Sequence, residues 1–210
     1  MSAPRQGTSG GWIIALGALC GLAWAAALRA MMSEFAGYSR VAWVDTFVAI
    51  LLPGVVVGAL LGWAYVLRLH GGRRGWRWLG AAPAAFAIAP MLLPGALMAF
   101  LTTGLGGGAV AVALLAIAGG FAVSGRGALW ARILCGVVSA LLIVGITIGT
   151  FFIAGARLAV TEPRGVWVAL LAFSLLTLLV VASSIPFRPV VEAAHVAGSS
   201  VTEVREEGAK

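Results

Sequence analysis

Five stretches of this chain contain no Asp, Glu, Lys or Arg, at 6–28, 46–67, 79–125, 133–156 and 165–187. Four of them run 22 to 24 residues and the third runs 47. An α-helix rises about 1.5 Å per residue, so roughly 20 apolar residues cross the ~30 Å hydrocarbon core of a bilayer. The 47-residue stretch is long enough for two crossings joined by a turn, and the glycine-rich segment 102–108, TTGLGGG, supplies that turn. The pattern predicts an all-α, polytopic transmembrane bundle of six helices, at about 11–31, 43–67, 79–102, 105–123, 130–153 and 166–185. Residues 1–10 read as a short cytoplasmic N-terminus, 11–187 as the membrane domain and 188–210 as a flexible tail.

Composition supports this division. Hydrophobic residues make up 61% of the chain and charged residues only 10%, where a soluble domain averages about 25% charged. The net charge of +7 would ordinarily suggest nucleic acid. Its placement argues instead for topology, because Arg68, Arg73, Arg74 and Arg77 sit together between two apolar spans, where the positive-inside rule concentrates Arg. No nucleic-acid partner is expected. The loop they occupy, RLHGGRRGWRWLG, is expected to contact anionic lipid head groups.

Orientation follows from Lys and Arg in alternate segments. One set holds Arg5, the loop around Arg73, Arg126, Arg132, Arg188, Arg205 and Lys210, ten in all. The other holds Arg29, Arg40, Arg157 and Arg164, four in all. The first set is expected to face the cytoplasm, together with both termini. Seven of the eight tryptophans lie near expected span ends, as an interfacial belt requires, and only Trp24 falls well inside a span. The apolar run that starts at Gly11 is longer than the roughly 7–15-residue core of a signal peptide, so a retained first helix is expected. Arg outnumbers Lys 13 to 1 amid abundant Ala, Gly and Val, a bias of GC-rich bacterial coding sequences. The expected location is therefore a bacterial cytoplasmic membrane, crossed several times.

Helices associating in lipid rely on close packing at small residues. The second span carries Gly54, Gly58 and Gly62 at four-residue spacing, and Gly17/Gly21 and Gly145/Gly149 repeat that spacing in the first and fifth spans. These ridges, with the weaker Ala81/Ala85/Ala89 series, place spans one, two, three and five at the centre. The sixth span, free of internal glycine, is expected at the periphery. The same ridges are the expected surface for any protein partner. In the third span Pro83, Pro90 and Pro94 fall within about 40° of one another on a helical projection. Each removes a backbone donor, and a carbonyl freed in lipid must find protein or water, so this face is expected to bend the helix and line a cavity.

Only three carboxylates belong to the membrane portion: Glu34, Asp45 and Glu162, all at the expected non-cytoplasmic side. Asp45 borders 22 uncharged residues. A charge there needs a partner, and Arg29 and Arg40 are the candidates. Asp45, Arg29, Glu34 and Arg40 thus form the candidate outward polar site, either a solute or proton site or an ion-paired strut. Cys135, Ser139 and Thr150 share a face of the fifth span. Cys20 and Cys135 lie in apolar spans without a CxxC pair, so no redox or zinc role is expected. No nucleotide, hydrolase or metal-binding motif occurs, and the only histidines, His70 and His195, lie in a loop and in the tail. No catalytic residue, metal or cofactor is assigned. The leading reading is a bundle that binds or transports a small or amphipathic solute from the non-cytoplasmic side. A non-catalytic assembly subunit is the alternative, and a lipid-modifying enzyme the third.

Overall fold

The computed structural model describes residues 10–38, 41–92, 95, 98 and 107–190. Among the described residues 84% are helical and there is no strand. The main helices are α1 (Gly10–Ala36), α2 (Leu52–Leu69), α3 (Ala85–Met91), α4 (Gly107–Val123), α5 (Leu129–Ile153) and α6 (Pro163–Ser183). A π-helix over Trp43–Leu51 leads directly into α2, and a 3-10 helix over Trp76–Ala84 leads into α3. Four helical segments are long and apolar enough to cross a membrane: Gly10–Ala36, Trp43–Leu69, Leu129–Ile153 and Pro163–Phe187. A fifth, α4, is apolar but has 17 residues, about 25 Å of helix.

The third expected span is where the structure departs most from the sequence reading. A continuous helix over 79–102 is not formed. The described part is nine residues of 3-10 helix followed by a seven-residue α-helix. Pro83 lies inside the first piece and Pro90 inside the second. Each proline takes one donor out of the i→i−4 ladder and crowds the turn before it, which disfavours a regular α-helix here, and the stop at Met91 comes shortly before Pro94 in sequence, where the residue preceding a proline is disfavoured in the α region. Pro83 is fully buried, and Phe86 behind it packs on Trp24 with ring centroids 5.0 Å apart. Pro94 and most of the 102–108 turn lie outside the described residues.

The α1–α2 pair is the closest contact in the bundle, and its glycines explain why. An added Cβ on Gly17 would strike the Gly58 carbonyl oxygen and come within 3.1 Å of Gly62 Cα. One on Gly58 would strike the Gly17 carbonyl oxygen and lie 2.9 Å from Gly21 Cα. One on Gly62 would lie 2.9 Å from the Ile13 carbonyl oxygen. Backbone thus meets backbone with no side chain between, as the four-residue spacing predicts.

The expected order of the other helices is corrected. The sixth span is central, not peripheral. Buried positions recur along all of α6: Val168, Ala169, Ala172, Leu175, Leu176, Leu179, Val180 and Ser183. Ala169 and Ala172 supply the small positions that glycine supplies elsewhere, and the leucines fill the core between α1 and α4. The fifth span is peripheral, since α5 buries only Ser139 and Thr150. Its Gly145 and Gly149 have nothing within 4 Å of an added Cβ. The glycines that do seat α4 are Gly119 and Gly120. A Cβ on Gly119 would press on Val180 at 2.8 Å, and one on Gly120 would reach the Ser183 carbonyl oxygen at 2.6 Å.

Most buried polar groups among the described residues are paired, with the Thr147, Thr177 and Ser183 hydroxyls the exceptions. Trp24, the tryptophan outside the belt, donates its indole N–H to the Leu175 carbonyl at 2.9 Å, which ties α1 to α6. Ser139 donates to the Leu115 carbonyl at 3.0 Å across the α5–α4 contact. Thr150 turns back to the Thr147 carbonyl of its own helix at 2.8 Å.

Candidate functional site

The two ends of α2 carry the two regions with site-like chemistry. The segment Trp43–Leu69 has 27 residues, so these ends lie about 40 Å apart.

At the first end, Asp45 stands in the opening turn of the π-helix and is exposed. Gly54, further along the same segment, is buried against α1. Thr46 closes the N-terminus of this segment: its hydroxyl accepts from the Ala42 N–H at 3.3 Å while its own N–H donates to the Ala42 carbonyl at 3.0 Å. Trp43 and Phe47 of the same segment pack ring against ring, with centroids 4.8 Å apart. The π-helix packs against α3, so the structure brings the segment holding Asp45 next to the short helix that carries Pro90. Sustained π-helix is rare, and its wider ladder is concentrated at functional positions in proteins.

Asp45 has no ion pair among the described residues, and Arg40 lies outside them. Arg29 is half-buried on α1. The carboxylate that is paired is Glu34, whose Oε2 accepts from Arg164 Nε at 2.6 Å. Arg157 donates from one guanidinium nitrogen to the Glu34 and Phe35 carbonyls at 2.9 and 3.0 Å, and so closes the C-terminal end of α1. Gly37 follows with φ +76°, and the Arg157 guanidinium occupies the space a Cβ would need. Glu34 therefore ties the end of α1 to the start of α6.

The second end is a cleft of about 680 Å³ lined by Arg73, Arg74, Trp76, Arg77, Ile117 and Phe187, with Trp78, Gly80 and Ala81 completing its wall. Three glycines with positive φ, Gly71, Gly72 and Gly75, fold the loop back on itself. The Trp76 N–H then bonds the Arg73 carbonyl at 3.0 Å and starts the 3-10 helix. Trp76 is buried at 9% exposure while Trp78, two residues on, is 83% exposed. Phe187 stands edge-on to Phe121 at 5.8 Å and fills the space a Gly80 side chain would take.

The arginines at this end divide into two groups. Arg68 donates to the Pro189 carbonyl at 2.8 Å, Arg132 to the Ala122 carbonyl at 3.2 Å and Arg188 to the Ser184 hydroxyl at 3.1 Å. These hold chain ends in place. Arg73, Arg74 and Arg77 line the cleft, and among the described residues no carboxylate pairs with them. His70 leaves the loop, its Nδ1 donating to the Val66 carbonyl at 2.8 Å. Among the described residues no group of His, Cys, Asp or Glu could hold a metal ion.

Comparison with known proteins finds no matching family model, no matching curated protein and no matching solved structure. The fold and the chemistry of the two ends therefore carry the functional reading. They are those of an all-helical bundle whose apolar helices suit contact with a lipid bilayer.

Proposed function

We infer that the chain is a six-crossing bundle of a bacterial cytoplasmic membrane, with both termini cytoplasmic, that binds or transports a small or amphipathic solute from the non-cytoplasmic side. The observation that carries this reading is the broken third crossing, which begins as a wall of the arginine-lined cleft and packs against the π-helix that carries Asp45. Discontinuous helices serve membrane transporters because their freed backbone groups face a cavity and because two packed pieces can shift against each other. Asp45 and Pro90, from the two elements that meet at the outward end, are the residues assigned to the solute path.

The test is chemical. Small molecules retained by the protein in mild detergent are extracted and identified by mass spectrometry, for the unaltered chain and for Asp45→Asn and Pro90→Ala. The expected result is an amphipathic compound retained by the unaltered chain and lost from Asp45→Asn with helical content unchanged. Identical retention by all three chains would remove the outward site from the account.

One observation favours a second reading, a non-catalytic subunit of a membrane complex. Gly145 and Gly149 on α5 are the only four-residue-spaced glycine pair among the described residues of the expected ridges that meets nothing inside the chain. A partner that co-purifies with the unaltered protein but not with Gly149→Leu would support it.

A further inference from the structure

We propose that the arginine-lined cleft is a binding site for the phosphate head group of an anionic membrane lipid. Three features of the cleft lead there together. Arg73, Arg74 and Arg77 bring three guanidinium groups to one rim, and none has a carboxylate partner among the described residues. Guanidinium is planar and presents paired N–H donors at the spacing of phosphate oxygens, which makes it suited to a phosphate diester. The arginines are exposed, whereas Phe187 and Ile117 in the same lining are half-buried and give the cleft an apolar floor.

The ligand must match both halves. A lone inorganic anion would satisfy the rim and leave the floor wet. A purely apolar ligand would leave three arginines unpaired. A phospholipid places its phosphate at the rim and the start of its acyl chains on Phe187 and Ile117. The volume agrees, since about 680 Å³ lies within the roughly 300–1,000 Å³ of ordinary ligand sites and far exceeds one phosphate. The exposed Trp78 ring on the same wall is the amphipathic side chain that sits at head-group level. Arg68, Arg132 and Arg188 of this end are already committed, to the Pro189 carbonyl, the Ala122 carbonyl and the Ser184 hydroxyl, and Arg126 lies outside the cleft lining. The rim is thus set apart from the general positive charge of its face.

The inference is independent of the Asp45 site. It rests on the orientation that places this loop in the leaflet rich in anionic lipid. The experiment uses the full chain in mild detergent, mixed with phosphatidylglycerol, with phosphatidylcholine or with inorganic phosphate, and counts bound molecules by native mass spectrometry. The expected result is a preference of about tenfold or more for phosphatidylglycerol over phosphatidylcholine. That preference falls to parity in the triple variant Arg73→Gln, Arg74→Gln, Arg77→Gln, survives in part in the corresponding triple lysine variant, and is unchanged in Arg126→Gln. Inorganic phosphate at equal concentration does not displace the lipid.

Four results would overturn the proposal. They are a glutamine variant that keeps the preference, an Arg126→Gln variant that loses it equally, displacement by inorganic phosphate, and a chain ending at residue 190 that gains a binding the full chain lacks. The second would indicate diffuse surface charge, the third a free-anion site, and the fourth that the carboxylates of the tail already occupy the rim. If the triple glutamine variant does not purify, the three single variants carry the test, each expected to lower the preference.

Discussion

Gly58 and Gly17 meet backbone to backbone: a methyl group placed on either would overlap the carbonyl oxygen of the other. The contact recurs one turn further along, where Gly21 meets Gly54. Two helices pressed this closely gain dispersion contacts and weak Cα–H···O interactions over their whole length, which is the main attraction open to helices already in lipid.

Gly58→Ala is therefore expected to destabilise the bundle by about 1–3 kcal/mol, the usual cost of overpacking a filled contact. Gly145→Ala is the control. It fills open space in α5 and replaces a poor helix former, so it should be neutral or stabilising by up to about 1 kcal/mol. Thermal unfolding in detergent, followed by circular dichroism, separates the two. Equal behaviour of the two variants would contradict the assignment of packed and open glycine faces.

Trp24→Phe removes the indole donor and keeps most of the ring packing on Phe86. A lost neutral hydrogen bond has a net effect of about 0.5–1.5 kcal/mol. The expected outcome is a stability decrease of that order and a looser α1–α6 contact, read as faster amide exchange near Leu175. An unchanged exchange rate there would show that the bond does not form.

At the C-terminal end of α1, Arg157→Gln is expected to cost more stability than Arg164→Gln. Arg157 satisfies two backbone carbonyls that α1 leaves without an intrahelical donor, whereas the Arg164–Glu34 pair is largely exposed and screened by water. Unfolding midpoints of the two variants at low and high salt test this. Only the Arg164 effect should shrink as salt rises, and the reverse ranking would refute the cap.

Much of this fold was legible in the sequence, for reasons that differ by residue. The charge-free stretches marked the four long helices because the signal is a property of each segment by itself. The Gly17/Gly21 and Gly54/Gly58/Gly62 contact was legible because a glycine every four residues marks one helix face. That same spacing misdirected the reading at Gly145 and Gly149, since it states that a face is flat and not that anything lies against it. The central place of α6 was missed because glycine was the criterion, while Ala169 and Ala172 give equal access. The prolines announced a break in the third expected span but not its 3-10 geometry or its stop at Met91. The pairing of Glu34 with Arg164 joins residues 130 apart in sequence, and no local pattern specifies it. The cleft was half legible: the arginines and tryptophans stood out in the loop, while the apolar floor came from Ile117 and Phe187, two distant residues with no individual signal.

Pro90→Ala should regularise α3 by restoring the donor to the Phe86 carbonyl, and is expected to stabilise the isolated fold or leave it unchanged. On the functional reading the same change abolishes solute retention, because a continuous helix no longer presents free backbone groups to the cavity. Retention equal to that of the unaltered chain, alongside increased helicity, would show that the break is a packing feature only.

The account depends above all on the Asp45 end and the arginine cleft lying on opposite sides of a membrane, with the cleft and the C-terminus together inside. Single-cysteine chains test this directly, in a background with Cys20 and Cys135 replaced by alanine. Cysteine is introduced in turn at Tyr38, Arg74 and Ser199, and intact cells are treated with a membrane-impermeant thiol reagent. The account predicts labelling of Tyr38→Cys in intact cells, and labelling of Arg74→Cys and Ser199→Cys only after the membrane is opened. Labelling of Arg74→Cys or Ser199→Cys from outside intact cells would contradict it.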